Sequence, residues 1–307
     1  VTLDVLRRRN RLRIVATLVL ATLFYWLAVC AAAITVGLLL FLRVVVEGDL
    51  PDDLDDLKWL GIFALAVIVL AVILGSVYAA FTLPRRRAQL ERRVLAETGA
   101  RVVDDTNEEH RRVRNLLEGL AIAAHIPPPR FAVVGDAAPN SFAVGTRPKK
   151  VIVAVTQGAI DKLARDELEA ILAYEVSRIG SFDVALSSWT VALTSAAISE
   201  VDDDGAASII GWLPYKASVW LQGWALRDSA RDRDRAAVQF TRNPVSLIDA
   251  LEALRDDSTQ IHSVTRATAP LWIEVPAADG TTLLDGRIAA LREIAGLEPE
   301  SPQEQPQ

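Results

Sequence analysis

The chain has 307 residues, 33 Lys and Arg against 39 Asp and Glu, a net charge of -6, one cysteine and no methionine. That length allows one or two domains, and the acidic balance argues against a nucleic-acid partner. A single cysteine, Cys30, excludes an internal disulfide and dithiol redox chemistry.

Two long apolar runs occupy the first third. Residues 14–42 contain no charged side chain and would span roughly 43 Å as a helix; residues 59–83 would span roughly 37 Å, against a hydrocarbon core of roughly 30 Å. Both are expected to cross a bilayer. A cleavable signal peptide is a poorer fit, because the first run is too long and a second follows without a small-residue cleavage site. Arg7, Arg8, Arg9, Arg11 and Arg13 precede the first span, and Arg85, Arg86, Arg87, Arg92 and Arg93 follow the second, while the connector from Glu47 to Asp56 is acidic. Since positive charge stays inside, both termini and the main domain are expected in the cytoplasm of a multi-pass protein of the bacterial plasma (inner) membrane. Residues 1–100 then form the membrane part and residues 101–297 a separate domain.

After the second span, Ala88 to Glu97 reads as a short helix stopped at Gly99. Thr106 and Glu109 have capping-box spacing, ahead of Val113, Leu116, Leu117 and Leu120 at helical spacing. Pro127, Pro128 and Pro129 end that helix. Strands are expected at Phe131 to Val134, Ser141 to Val144 and Val151 to Val155, in a small mixed or antiparallel sheet.

From Arg165 the pattern is helical again, with Leu168, Ile171, Leu172, Val176 and Ile179 on one face and Glu175 at its centre. A buried carboxylate needs a cation, a hydrogen-bonding partner or a proton. The stretch has the frame of a zinc-protease helix, in which two histidines at i and i+4 hold the metal and the intervening glutamate is the general base. Here Tyr174 and Arg178 stand at the two histidine positions, and only Glu175 remains. Residues 184–199 are apolar but short, and residues 207–226 are apolar but contain Pro214 and Lys216, so 184–226 is a possible membrane hairpin or a pair of helices packed on the domain and lipid. Residues 298–307 have too little apolar surface to fold and are expected to be disordered. His110, His125 and His262 have no partners at ligand spacing, and no phosphate-binding loop or nucleophile elbow is present.

The segments AIAAHIPPPRFAVV, PNSFAVG, VIVAVTQGAI, RDELEAILAYE, AAVQFTRNPVSLIDALEAL and RIAALREI, in this order, resemble the HtpX-like family of membrane-embedded zinc metalloproteases, which are gluzincins. The resemblance implies an α+β, mainly helical fold: N-terminal transmembrane helices and a gluzincin-like domain with a small sheet and an active-site helix, here degenerate. By position, the family's histidine ligands fall on Tyr174 and Arg178, its catalytic glutamate on Glu175 and its glutamate ligand on Ala230, while two supporting carboxylates persist as Asp183 and Asp234. A phenol, a guanidinium and a methyl cannot replace three zinc ligands, so zinc is expected to be absent. Arg178 is expected to gather Asp183 and Asp234, with Glu175 as a further candidate, in the metal's place, unless it turns to water. The strand edge at Asn140, Ser141, Phe142 and Ala143 is implied to bind an extended peptide by strand addition, which needs no metal.

Two functions follow. The first is a catalytically inactive pseudoprotease, a binding, scaffolding or regulatory subunit whose partners are the bilayer and a membrane protein or extended peptide segment. The alternative is an active membrane metalloendopeptidase in membrane protein quality control, its metal held by oxygen ligands from Glu175, Asp183 and Asp234.

Overall fold

The computed structural model describes residues 3–47, 54–103, 107–204, 209–226, 233–238, 243–275 and 284–297. The threonine of the expected capping box, Thr106, the proposed third-ligand position, Ala230, and the tail 298–307 lie outside the described residues. The chain divides into two compact units, one of residues 16–88 and one formed by residues 1–15 with 89–307.

Helices α1 (Leu3–Glu47) and α2 (Leu54–Thr98) are each 45 residues long and carry the two apolar runs. Both are long and apolar enough to cross a membrane. The short helix expected at Ala88 to Glu97 is not separate: α2 continues through Pro84 and stops before Gly99, whose φ of 66° is the left-handed geometry that ends helices.

In the larger unit, β1 (Arg101–Val102), α3 (Glu108–Ala123), β2 (Arg130–Val134), β3 (Ser141–Arg147), β4 (Lys150–Thr156) and α4 (Gln157–Lys162) follow in order. Asn107 caps α3, its side chain accepting from the Glu109 and His110 amides, so the helix begins one residue beyond the expected threonine. The sheet is mixed, in the order β1-β2-β4-β3, with β2 parallel to β4 and β3 antiparallel to it. As β4 is interior and covered on both faces, it reads as the continuous apolar run VIVAV. Side chains alternate across the sheet: Val151, Val153 and Val155 join the core under α3 and α5, whereas Ile152 and Ala154 join a second core with Phe142, Val144, Leu90 and Val94.

Gly158, at the start of α4, lies against the backbone of Ala137, whose carbonyl any Cβ would strike. Its amide donates to the Asp136 carbonyl at 2.9 Å. This close approach sets the loop that delivers Asn140 and Ser141.

Helix α5 (Arg165–Gly180) is preceded by Ala164, whose amide donates to Glu167 Oε2 at 2.7 Å. The sequence predicts one apolar face, but every residue from Ala170 to Gly180 is buried. A helix enclosed on all sides must satisfy its polar side chains internally, which decides the character of the site. Its C-terminal carbonyls are capped from far away: Arg7 Nε donates to Gly180 O at 2.7 Å and Asn10 Nδ2 to Ser181 O at 2.9 Å. Phe182 then turns the chain at a φ of 64°, with the Arg11 guanidinium 4.4 Å over its ring.

Helix α6 (Asp183–Asp204) buries Val184, Leu186 and Val191, and α7 (Ile209–Ala225) packs beside it, with Val219 and Trp220 exposed. Helices α8 (Pro244–Asp256) and α9 (Leu284–Ala295) pack against each other, and α8 also packs on α5.

Candidate functional site

Glu175 and Arg178 lie one turn apart on α5 and are both completely buried. Arg178 Nη1 donates to Glu175 Oε2 at 2.9 Å, and its Nε donates to Asp183 Oδ2 at 2.9 Å. The guanidinium therefore bridges the two carboxylates. The remaining oxygen of Glu175 accepts from Ser141 Oγ at 2.9 Å. Ser141 can do this because strand parity puts its side chain and that of Ala143 on the α5 face of the sheet, and those of Phe142 and Val144 on the other.

Arg178 thus gathers Glu175 and Asp183 as the sequence predicts, but it does not gather Asp234. Asp234 instead takes two hydrogen bonds from Arg287 of α9, at 2.7 and 3.0 Å. A forked guanidinium matches a carboxylate better than a shared corner of a cluster already holding two anions. Arg233 completes the balance, with Nε 2.9 Å from Asp183 Oδ2. Tyr174 lies between the two groups, its ring centroid 5.7 Å from the Arg178 guanidinium and 5.4 Å from that of Arg287.

Arg233 and Arg287 were not identified as site residues from sequence, and Ser141 was named there only for the peptide-binding edge, not as a partner of Glu175. Arg287 had a signal: it interrupts the apolar stripe Leu284, Ile288, Leu291 of α9, and a cation on a buried face must be paired.

Burial raises the Glu175 carboxyl above its ordinary range, outweighing the attraction of Arg178 and the Ser141 hydrogen bond. Burial would do the same to Asp183, but Arg233 and then Arg178 reverse the direction and hold it low. For Arg178, the cost of burial is overcome by Glu175 and Asp183, so it stays charged. Among the described residues, three cations, Arg178, Arg233 and Arg287, are set against three acidic groups, Glu175, Asp183 and Asp234, and these pairs offer no excess negative charge to a divalent ion.

The donor set does not fit zinc. The phenol of Tyr174 is held between guanidinium groups, the guanidinium of Arg178 sits where a second histidine would bind, and all three carboxylates are engaged. Among the described residues, no group of three or more His, Cys, Asp and Glu side chains could hold a metal. His110 faces Gln157 Oε1 at 3.1 Å, His125 adopts a φ of 55° at a turn, and the His262 amide donates to Asp136, so these three lie in separate settings.

The edge Asn140 to Ala143 is not open, contrary to the sequence expectation. All four residues are buried. The segment after the short 3-10 turn Ala269–Leu271 runs antiparallel beside them: Phe142 and Trp272 form a bridge, and the Ile273 amide donates to Ser141 O at 2.9 Å. Asn140 Nδ2 donates to Glu274 O at 3.0 Å. Farther along β3, Ser188 Oγ of α6 accepts from the Gly145 amide at 2.8 Å. An edge strand left unpaired is an aggregation hazard, and this chain covers its own.

Glu274, half-buried in that segment, has its carboxyl pushed up to about 7 by burial, which the nearby Arg287 opposes and Asp257 assists. An acid whose folded pKa lies above its unfolded value of 4.5 supports the fold fully below pH 4.5. That support is lost as pH rises toward 7. Allowing for solvent screening, the loss is about 1–2 kcal/mol. Urea titrations between pH 5 and 8 should show this decline in the wild type and a flatter profile in Glu274→Gln.

A buried helix bearing a central glutamate thus packs against the edge strand of a small mixed sheet, and among the described residues no metal-binding group accompanies it. The chain belongs to peptidase family M48, whose model matches residues 107–263. It is 30% identical over 235 residues to the Protease HtpX homolog of Levilactobacillus brevis, covering 68% of this chain and 76% of that protein. It is also 30% identical over 239 residues to the Protease HtpX homolog of Streptococcus gordonii, covering 69% and 78%, and 32% identical over 205 residues to that of Dictyoglomus turgidum, covering 60% and 66%. No solved structure matches the chain.

Proposed function

We propose that the chain is a catalytically inactive member of the M48 family, a multi-pass membrane protein that acts as a binding, scaffolding or regulatory subunit of a membrane complex. One observation carries this reading: the side chain at the second metal-ligand position, Arg178, is fully buried and bonded to both Glu175 and Asp183. A general base must accept a proton from water. Glu175 has one oxygen bonded to a guanidinium and the other to a hydroxyl, which leaves it no role in activating a nucleophile. The arginine flanks of the two apolar helices support placing the main domain on the cytoplasmic side.

An active endopeptidase is the second reading, favoured by the printed names of the relatives and by the retained glutamate. An oxygen-only metal site would first have to free Asp183 from two arginines and Asp234 from Arg287. Metal analysis of protein purified without chelators is expected to find zinc well below one equivalent per chain. One tightly held zinc, lost in Glu175→Gln together with peptide hydrolysis, would restore the enzyme.

A further inference from the structure

We infer that Leu271–Glu274 is an internal pseudosubstrate strand: it occupies the cleft between β3 and α5, and an extended apolar peptide segment with an aromatic side chain at the Trp272 position would replace it. The inference rests on the non-catalytic reading of the site, because a protease could not keep its cleft filled and turn over substrate.

The segment meets the domain as a bound peptide would. One backbone edge pairs with β3 through the Ile273 amide and the Phe142–Trp272 bridge. Two carbonyls two residues apart are each held by an arginine: Arg178 Nη1 donates to Leu271 O at 2.9 Å, and Arg287 Nη1 to Ile273 O at 2.8 Å. Arg178 therefore does for the Leu271 carbonyl, by hydrogen bonding, part of what a metal would do by coordination. No cleavage follows, since Glu175 is tied to Arg178 and Ser141. Trp272 supplies the anchor, its ring 4.6 Å from that of Phe142 and tilted by 52°.

The fit is also incomplete, which is what makes the occupant replaceable. The buried Trp272 indole nitrogen and Arg178 Nη2 have no hydrogen-bond partner among the described residues. A phenylalanine at the Trp272 position would fill the same aromatic contact without an orphaned donor. An incoming segment has to outcompete a tethered strand whose effective concentration is of millimolar order, so binding in the resting protein is masked.

The test uses the full-length protein in detergent and a fluorescent peptide of residues 268–275, TAPLWIEV, as probe. Ile273→Pro removes the amide that pairs with Ser141 and should weaken the internal strand. The opened variant is expected to bind the probe at least about tenfold more tightly than the wild type does. A probe with Phe in place of its Trp should bind more tightly still, and a scrambled probe not at all. Equal binding of the probe to wild type and variant would overturn the inference, as would no binding to a variant that keeps a cooperative thermal transition.

Should Ile273→Pro fail to fold, a disulfide trap decides. In a Cys30→Ala background, Phe142→Cys with Trp272→Cys places thiols at a non-hydrogen-bonded antiparallel pair, the close-spaced kind. Ready oxidation to a disulfide supports the seated strand, and failure to form it overturns the inference. Zinc content reports separately on the non-catalytic reading: a zinc-loaded chain that cleaves the probe refutes that reading whatever the trap shows.

Discussion

Arg178→Ala is expected to destabilise the M48 domain by about 3–5 kcal/mol, a large share of the about 5–15 kcal/mol that holds a typical domain folded. The substitution removes the bridging cation from a site where Glu175 and Asp183 are buried, and water cannot reach them as a substitute. Asp183 keeps Arg233, so most of the loss should fall on Glu175, which is already raised by burial and would take up a proton. Arg178→Ala combined with Glu175→Gln should accordingly recover part of the loss. Denaturant unfolding of the four proteins in the cycle measures this directly. A cost below about 1 kcal/mol for the single variant would place Arg178 among surface ion pairs and contradict its burial.

Asp234→Ala is expected to cost a similar amount, about 3–5 kcal/mol, for a different reason. It strands Arg287, a guanidinium that is buried in α9 and bonded to Asp234 through two nitrogens. The loss should extend to the Ile273 carbonyl that Arg287 also holds, so the edge-covering segment loosens along with the helix. Arg287→Met paired with Asp234→Leu removes both charges and should be much less damaging than the sum of the two single alanine variants. Hydrogen exchange at the Ile273 amide distinguishes this effect from general unfolding, since it should accelerate in Asp234→Ala before the β4 amides do.

The fold was legible from sequence wherever a periodicity is local. The two apolar helices, the α5 helix and β2, β3 and β4 follow from spacing and from turn residues. Boundaries set by single side chains were less so: Asn107 rather than Thr106 caps α3, and Pro84 does not stop α2. At the site, the pairing of Arg178 with Asp183 was legible because five residues of one helix-turn segment bring them together. The pairing of Asp234 with Arg287 joins residues 53 positions apart, and no local pattern around either residue names the other. Cover for the β3 edge was hidden for the same reason, since Phe142 and Trp272 are 130 positions apart. A trace existed, as LWIEV between Pro270 and Pro276 is a short β-prone run bounded by prolines.

The cap that Arg7 and Asn10 place on the end of α5 has a practical consequence for protein production. Both residues precede the first apolar stretch, so a soluble fragment starting at residue 101 would discard them with the membrane helices. The Gly180 and Ser181 carbonyls would then lose their donors at the turn into α6, next to Asp183. Supplying residues 3–13 as a separate peptide, or joining them ahead of residue 89 by a flexible linker, is therefore the better design for a water-soluble version. An affinity tag belongs at the other end of the chain, away from α1.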